Sequence, residues 1–273
     1  MPVGSLVFRS FDDCLAFLKA VREAGLRPSS IRLVNNREFG FGQALRPAAH
    51  GSHAWTSALT RRWLVDILRF DVAALAACTL VMEGETGEVA RQEREIRHLA
   101  RRFGAVWGGA DNGRRGYTLT FAIAYLRDFF SQFGIAAESF ETSAPWDRVT
   151  DICTAVEQAL HQACAAQGVP GTPYLSYRVT QTYHHGVCIY FTLAFATRGL
   201  ANASGTFHDI EQALRQVILD HGGSLSHHHG VGKIRQRFLP QVHSDAALDM
   251  TRAVKRALDP GNVFGIGNGA CVR

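Results

Sequence analysis

Apolar and polar positions recur along this chain with two periods, near two and near 3.6 residues, and the switches between them mark its elements. Ser5 to Ser10 alternates as a strand. Phe11 to Gly25 follows with Leu15, Phe17, Leu18, Val21 and Ala24 on a helical stripe that Gly25 closes. Ser30 to Val34 reads as a second strand, so the chain opens with a β-α-β unit. The pattern then predicts a helix over Thr56 to Phe70, a strand from Ala77 to Met82 and a charged helix from Gly87 to Arg102. Gly113 to Phe133 mixes aromatics with Arg114, Arg115 and Arg127 and reads as partly helical and substrate-lining, while Asp111-Asn112-Gly113 is a turn. Ala136 to Phe140 is strand-like. In Thr142-Ser143-Ala144-Pro145 a hydroxyl cap and a proline predict a helix start, with the helix reaching Gln167. Tyr174 to Tyr183 and Val187 to Ala196 are strands rich in Val, Thr, Tyr and Phe, and His184-His185-Gly186 joins them as a hairpin. Phe207 to His221 and Ala246 to Leu258 are helical, the first closed by Gly222-Gly223 and the second by Asp259-Pro260-Gly261.

Helices alternate with strands, yet the hairpin breaks a purely parallel pattern. The expected fold class is therefore α+β, a mainly antiparallel sheet flanked by helices. Both halves open with strand, helix, strand, which suggests a diverged duplication of a β-α-β unit.

Composition adds limits. The chain has 273 residues, 47% of them hydrophobic, as an ordinary globular protein does. No apolar run is long enough to span a bilayer, and the first residues lack the order of a signal peptide. The six cysteines show no CxxC pairing, and several sit in apolar periodic segments, which points to a reducing cytoplasm. The net charge of +5 rests on arginine, with Lys19, Lys233 and Lys255 the only lysines. Such a balance suits an anionic substrate or a negatively charged membrane face, although a GC-rich genome gives the same skew. No basic tract is interleaved with aromatics, which argues against nucleic acid.

The chemistry concentrates in His227-His228-His229-Gly230-Val231-Gly232-Lys233. Imidazole moves protons near neutral pH, and the glycines let a backbone approach a ligand closely. An expression tag does not fit an internal run of three, and no Cys, Asp or Glu lies nearby in sequence at metal-ligand spacing. Proton transfer or substrate orientation is the favoured role and structural hydrogen bonding the bland one; no metal is expected. Along Val187 to Phe195 alternation sets Val187, Ile189, Phe191, Leu193 and Phe195 on a core face and Cys188, Tyr190, Thr192 and Ala194 on the other. Tyr190 and Thr192 can line a cavity there or pack ordinarily on the sheet. Arg127 and Arg32 each lie among apolar residues and require an anion. That anion is a bound carboxylate or phosphate, or a side chain such as Asp128, Glu138 or Glu141. No GxxxxGK[ST], GxGxxG after a strand, or GxSxG elbow is present.

Several motifs together resemble a known family. The run Gly223-Ser224-Leu225-Ser226-His227-His228-His229-Gly230-Val231-Gly232-Lys233 is similar to the signature of the alkyldihydroxyacetone-phosphate synthases, a branch of the FAD-linked oxidases of the vanillyl-alcohol oxidase type. Glu138 to Arg148 (ESFETSAPWDR), Arg178 to Tyr183 (RVTQTY) and Cys188 to Phe191 (CIYF) resemble it too, and the likeness runs from Ser30-Ile31-Arg32-Leu33 to Asp259-Pro260-Gly261-Asn262-Val263-Phe264-Gly265.

The resemblance implies a flavoenzyme that exchanges the acyl group of acyl-dihydroxyacetone phosphate for a long-chain fatty alcohol, giving an ether lipid precursor through a flavin adduct without net redox. It assigns the acid/base role to Tyr190 and proton-transfer support to His227, His228 and His229. Arg127 matches a substrate-binding arginine, Arg32 an arginine needed for activity, and Lys233 and Asn268 are the cofactor contacts expected of this chain. Residues 1–273 would form one C-terminal cap, or substrate, domain, with 257–273 as a return tail toward an FAD-binding domain that precedes it in the family. The chain would then bind little FAD alone and need a polypeptide carrying that domain. Gly267-Asn268-Gly269-Ala270-Cys271 departs from the family's Asn-Leu-Leu ending. A homodimer and peripheral membrane contact complete the expected partners. The competing class is an FAD-dependent 2-hydroxyacid dehydrogenase of the glycolate or D-lactate kind, whose Glu-His-Gly-x-Gly motif has a glutamate where His228 stands here. A non-catalytic remnant is the third reading.

Overall fold

The computed structural model describes residues 3–45, 69–110, 113–114 and 125–270. The helix expected over Thr56 to Phe70 falls almost wholly outside them, as do Arg115 and most of the Asp111-Asn112-Gly113 turn. The chain divides into two compact units, Met1–Ser139 with Tyr174–Ala194, and Phe140–Pro173 with Phe195–Arg273.

The first unit carries the sheet. Its elements in chain order are β1 (Val3–Phe8), α1 (Phe11–Glu23), β2 (Ser30–Val34), α2 (Asn36–Ala44), β3 (Ala76–Val81), α3 (Thr86–Arg102), β4 (Val106–Trp107), β5 (Ile135–Pro145), β6 (Tyr174–Thr182) and β7 (Gly186–Ala196), the ends of β5 and β7 running on into the second unit. The strand order is β4-β1-β3-β2-β6-β7-β5, and each pairing from β4 through β7 is antiparallel. The opening β-α-β unit therefore exists in connectivity, but β3 stands between β1 and β2. The same insertion recurs at the other end, where β7 stands between β6 and β5.

The stripe read from the sequence explains α1. Ser10 caps it by accepting a hydrogen bond from the Asp13 N–H at 3.1 Å, and Cys14, Leu15, Phe17, Leu18 and Val21 are buried. Phe17 lies 5.1 Å from Phe8 between ring centroids. Each such buried side chain contributes roughly 1.5–3 kcal/mol. In β2 the burial alternates, with Ile31 and Leu33 inside. Register then sets Val34, Arg178 and Tyr190 side by side on the opposite face of the sheet, and Arg32 shares that face by parity. Helix α2, which the pattern did not predict because two glycines interrupt it, packs against β3 and β6. Asn35 caps it through the Glu38 N–H at 3.0 Å, and this places Glu38 near Arg178.

The second unit is built on α4 (Val149–Ala166) packed against α5 (Ala203–Asp220). Ile152, Val156 and Leu160 from one helix and Ile210, Leu214 and Ile218 from the other are fully buried. Helix α6 (Asp245–Leu258), capped by Ser244, adds Leu248 to a smaller cluster with Leu225, Phe238 and Leu239. One prediction is corrected here. Thr142 to Pro145 is strand, not helix start: β5 continues to Pro145, a 3-10 turn follows at Trp146–Arg148, and α4 begins at Val149. The residue before a proline is driven to extended backbone, and the Thr142 hydroxyl donates to the Ser224 carbonyl at 2.7 Å instead of capping. Helix α5 also starts earlier than expected, capped by Asn202.

No helix among the described residues is long and apolar enough to cross a membrane. Cys14, Cys78, Cys153, Cys164 and Cys188 are free and buried.

Candidate active site

In the first unit the site is organised around Tyr190. The expected alternation along β7 holds from Ile189 onward, with Tyr190 and Thr192 half-buried opposite the core residues, whereas Cys188 is fully buried. The Tyr190 hydroxyl shares a 2.8 Å hydrogen bond with Ser139 Oγ of β5. Its cross-strand partner Arg178 lays its guanidinium over the ring, 4.2 Å from the centroid. Such a cation over an aromatic face contributes about 0.5–2 kcal/mol and fixes the ring's orientation. Arg178 is in turn held by Glu38 at 2.8 Å, both side chains largely out of solvent. A buried ion pair of this kind specifies geometry more than it stabilises. Glu38 Oε2 and Thr192 Oγ1 are both buried and lack a hydrogen-bond partner among the described residues.

Arg127 joins this arrangement by one side of β5. It pairs with Glu138 at 3.2 Å and with Asp128 at 3.3 Å, and its side chain is 54% exposed. Hydrogen bonds to Asp128, then the charge and hydrogen bond of Glu138, raise its guanidinium further above its ordinary value. Glu138 accepts the Ser139 N–H with its other oxygen. Arg127 and Tyr190 are thus tied to neighbouring residues of one strand. Arg32 lines a separate cleft of the same unit at the start of β2.

In the second unit the three histidines sit on a loop held by one carboxylate. Helix α5 ends at Asp220, and the chain turns through Gly222 and Gly223. A Cβ on Gly223 would come 2.5 Å from Ile218 Cγ2 and 3.0 Å from Thr142 Oγ1, so only glycine fits. Ser224 then fastens to β5, donating its N–H to the Ser143 carbonyl and accepting the Ser143 N–H on its hydroxyl, both at 2.8 Å.

Glu141, fully buried on β5, receives the backbone N–H groups of His227 and His229, the Ser226 hydroxyl at 2.8 Å and Arg235 at 3.3 Å. Burial acts to raise its pKa, but the His229, Ser226 and His227 hydrogen bonds and the charge of Arg235 outweigh it and hold the carboxyl at about 2. The expectation that Glu141 serves Arg127 or Arg32 is corrected: its partners are the histidine loop and Arg235. Beneath it Arg215, with no exposed surface, donates to the Glu141 and Leu225 carbonyls and to Glu211. The side chains this frame presents are close to one another. His227 Nδ1 and His228 Nδ1 lie 2.9 Å apart, and the His228 and His229 rings 4.5 Å. Burial lowers the His229 pKa against the opposing pull of Glu141, which favours the uncharged ring.

The tail that carries Asn268 is joined to the loop that carries Lys233 in this unit. The Gly269 N–H donates to the Gly232 carbonyl at 2.8 Å, and a Cβ added at Gly267 would come 3.9 Å from Lys233 Cε. Of these supporting residues, Arg178, Ser139, Arg215 and Arg235 were not singled out as functional by periodicity, and Glu141 only as a possible partner of an arginine. For the charged ones the signal was a charge standing in an apolar strand or helix face.

A family model described as FAD linked oxidases, C-terminal domain, matches residues 1–268. The chain belongs to this family. Among curated proteins, the alkyldihydroxyacetonephosphate synthase of Caenorhabditis elegans is 40% identical over 269 residues, which is 97% of this chain and 45% of that protein. The corresponding protein of Dictyostelium discoideum is 23% identical over 94% of this chain and 42% of its own length. The chain thus spans less than half of the curated relatives it matches. A crystal structure of an alkyldihydroxyacetonephosphate synthase shares the fold, with a TM-score of 0.76 at 19% identity over 97% of this chain and 44% of that one. So does p-cresol methylhydroxylase, at a TM-score of 0.59 and 11% identity over 100% of this chain and 54% of that one. The FAD-linked oxidase domain therefore accounts for the α+β class and for the antiparallel sheet.

Proposed function

We propose that this chain is the substrate-side part of an alkylglycerone-phosphate synthase-like transferase, which replaces the acyl group of acyl-dihydroxyacetone phosphate by a long-chain fatty alcohol. The observation that carries the reading is Tyr190, a tyrosine oriented by Ser139 at its hydroxyl and by Arg178 at its ring. The 40% identity to a synthase over nearly the whole chain supports it.

The exchange requires the alcohol to lose its proton and the acyl group to leave as a carboxylate. Tyr190 is the acid/base group in this reading. Its positioned hydroxyl can give and take one proton without moving the ring, a role worth about 10²–10⁴ in rate. His227, His228 and His229 are the groups that support proton transfer in this reading, and burial favours the uncharged form of His229. Arg127 and Arg32 supply cations for the phosphate ester and its departing carboxylate.

FAD is the cofactor the family implies. The residues present fit one side of such a group: Gly230 and Gly232 leave open space where a side chain would stand, and Lys233 and Asn268 flank that loop with a cation and an amide. When bound, the flavin would supply an electron-poor ring at which the ester-bearing carbon is activated. The rest of its site would come from an FAD-binding domain, with residues 257–273 as the tail returning to it and residues 1–273 acting as one cap domain. Free buried cysteines support a reducing, cytoplasmic setting, and the lipid substrates support peripheral membrane contact. A homodimer fits the same reading.

Titration of FAD by absorbance tests the arrangement, first with the chain alone and then with a polypeptide carrying the flavin-binding domain. Negligible flavin on the chain and stoichiometric flavin on the pair are expected. Stoichiometric yellow flavin on the isolated chain would overturn the division of labour.

A further inference from the structure

We infer that the outer face of α6, with the turn that follows it, is a docking surface for the polypeptide that longer relatives carry beyond the span of this chain. Helix α6 turns its apolar side outward. Its one buried side chain is Leu248, in the small cluster with Leu225, Phe238 and Leu239. Met250, Val254 and Leu258, four residues apart, form a stripe on a side that Leu248 does not share. Each is more than half exposed, Leu258 to 81%. Ala246, Ala253 and Ala257 widen the stripe and are exposed as well. A helix on the surface of a finished domain lays such a side on the core.

The turn after α6 extends the patch. Asp259 accepts the N–H groups of Val263 and Phe264, both at 2.9 Å, and pairs with Lys255, which also donates to the Phe264 carbonyl. The turn is fixed by these bonds, yet Val263, Phe264 and Ile266 are each more than half exposed. Large apolar side chains held together in solvent mark an interface, whereas single exposed ones do not. Charge and length then choose the occupant. Asp245, Asp249 and Asp259 offset Arg252, Lys255 and Arg256, so this segment offers no surplus of cations to an anionic lipid surface. The Caenorhabditis elegans relative matches 97% of this chain with only 45% of its own length, and the family model takes in α6 and its turn. The larger part of that relative therefore lies outside the span shared with this chain, enough to form a domain with an apolar side of its own. This docking rests on the division of labour proposed above and adds to it the surface that joins the two parts.

Co-expression of the full chain with the part of the Caenorhabditis elegans relative that it does not match tests this, with capture through a tag on that part. The wild-type chain should be retained in equal amount, and Met250→Glu and Val254→Glu should each lower retention at least about tenfold. Both variants should keep the thermal transition of the wild-type chain, because neither side chain is buried. Arg256→Gln, exposed on the opposite side of α6, should be retained as wild type. Mild peroxide with mass spectrometry gives a second readout: Met250 should oxidise readily in the chain alone and at least about tenfold more slowly in the pair. A flavin-loaded pair that forms equally well with Met250→Glu and Val254→Glu, or leaves Met250 reactive, would overturn this surface and leave the division of labour standing. No pair with the wild-type chain would overturn both. A chain that buries Met250 in a dimer of itself, undisturbed by the co-expressed part, would overturn the occupant in favour of a second copy.

Discussion

Glu141 shows how much one side chain sets in this protein. Its carboxylate has no exposed surface and collects two backbone N–H groups, one hydroxyl and one guanidinium. Its folded pKa of about 2 lies below the ordinary 4.5, so the folded state binds fewer protons than the unfolded state once the pH drops below that ordinary value. The stabilisation is complete above the ordinary pKa and is lost as the pH falls through the folded one. The displacement corresponds to roughly 3 kcal/mol. Urea unfolding at successive acid pH values should show this decline in the wild type, and Glu141→Gln should be less stable at neutral pH and flatter over that window. Arg178 allows a second test at the same scale. Arg178→Met strands the Glu38 carboxylate and should cost about 3–5 kcal/mol, with the double variant Arg178→Met/Glu38→Gln regaining most of it in the same assay. The reason these residues were hard to find in the chain is separation. Glu141 and His227, or Glu38 and Arg178, meet only through tertiary packing of a loop or a helix on a strand, and nothing local distinguishes a charge destined for a buried partner from one destined for water.

Elements with a clear period were legible, and those governed by a single backbone rule were not. The stripe of α1, the alternation of β2 and that of β7 from Ile189 onward are visible because burial follows them residue by residue. Helix α2 was hidden by Gly40 and Gly42, whose low helix propensity is outweighed by the Asn35 cap and by packing on β3 and β6. The end of β5 was misread because Thr142, Ser143 and Pro145 look like a helix start when their partners on the Ser224 segment are unknown. That junction supplies an element-scale prediction. Gly223→Ala would drive a methyl group into Ile218 and the Thr142 hydroxyl and should destabilise the protein by about 1–3 kcal/mol, measured by chemical denaturation. The disturbance should also reach the histidine loop, read as changed imidazole chemical shifts for His227 to His229 in NMR.

At the scale of the molecule, two units each hold part of the proposed site. One holds the oriented tyrosine with its arginines. The other holds the histidines on a framework of Glu141, Arg215 and Arg235. The family and its α+β sheet were readable from motifs spread along the chain, and a family match over residues 1–268 bears that out. The most direct measurement joins the chain to the part of the Caenorhabditis elegans relative that it does not match, loads the product with FAD and follows incorporation of labelled hexadecanol from an acyl-dihydroxyacetone phosphate donor. Exchange by the flavin-loaded wild type, falling at least about a hundredfold in a Tyr190→Phe form that retains its flavin, is the predicted result. A flavin-loaded protein that exchanges no alcohol, or a Tyr190→Phe form as active as wild type, would contradict the account.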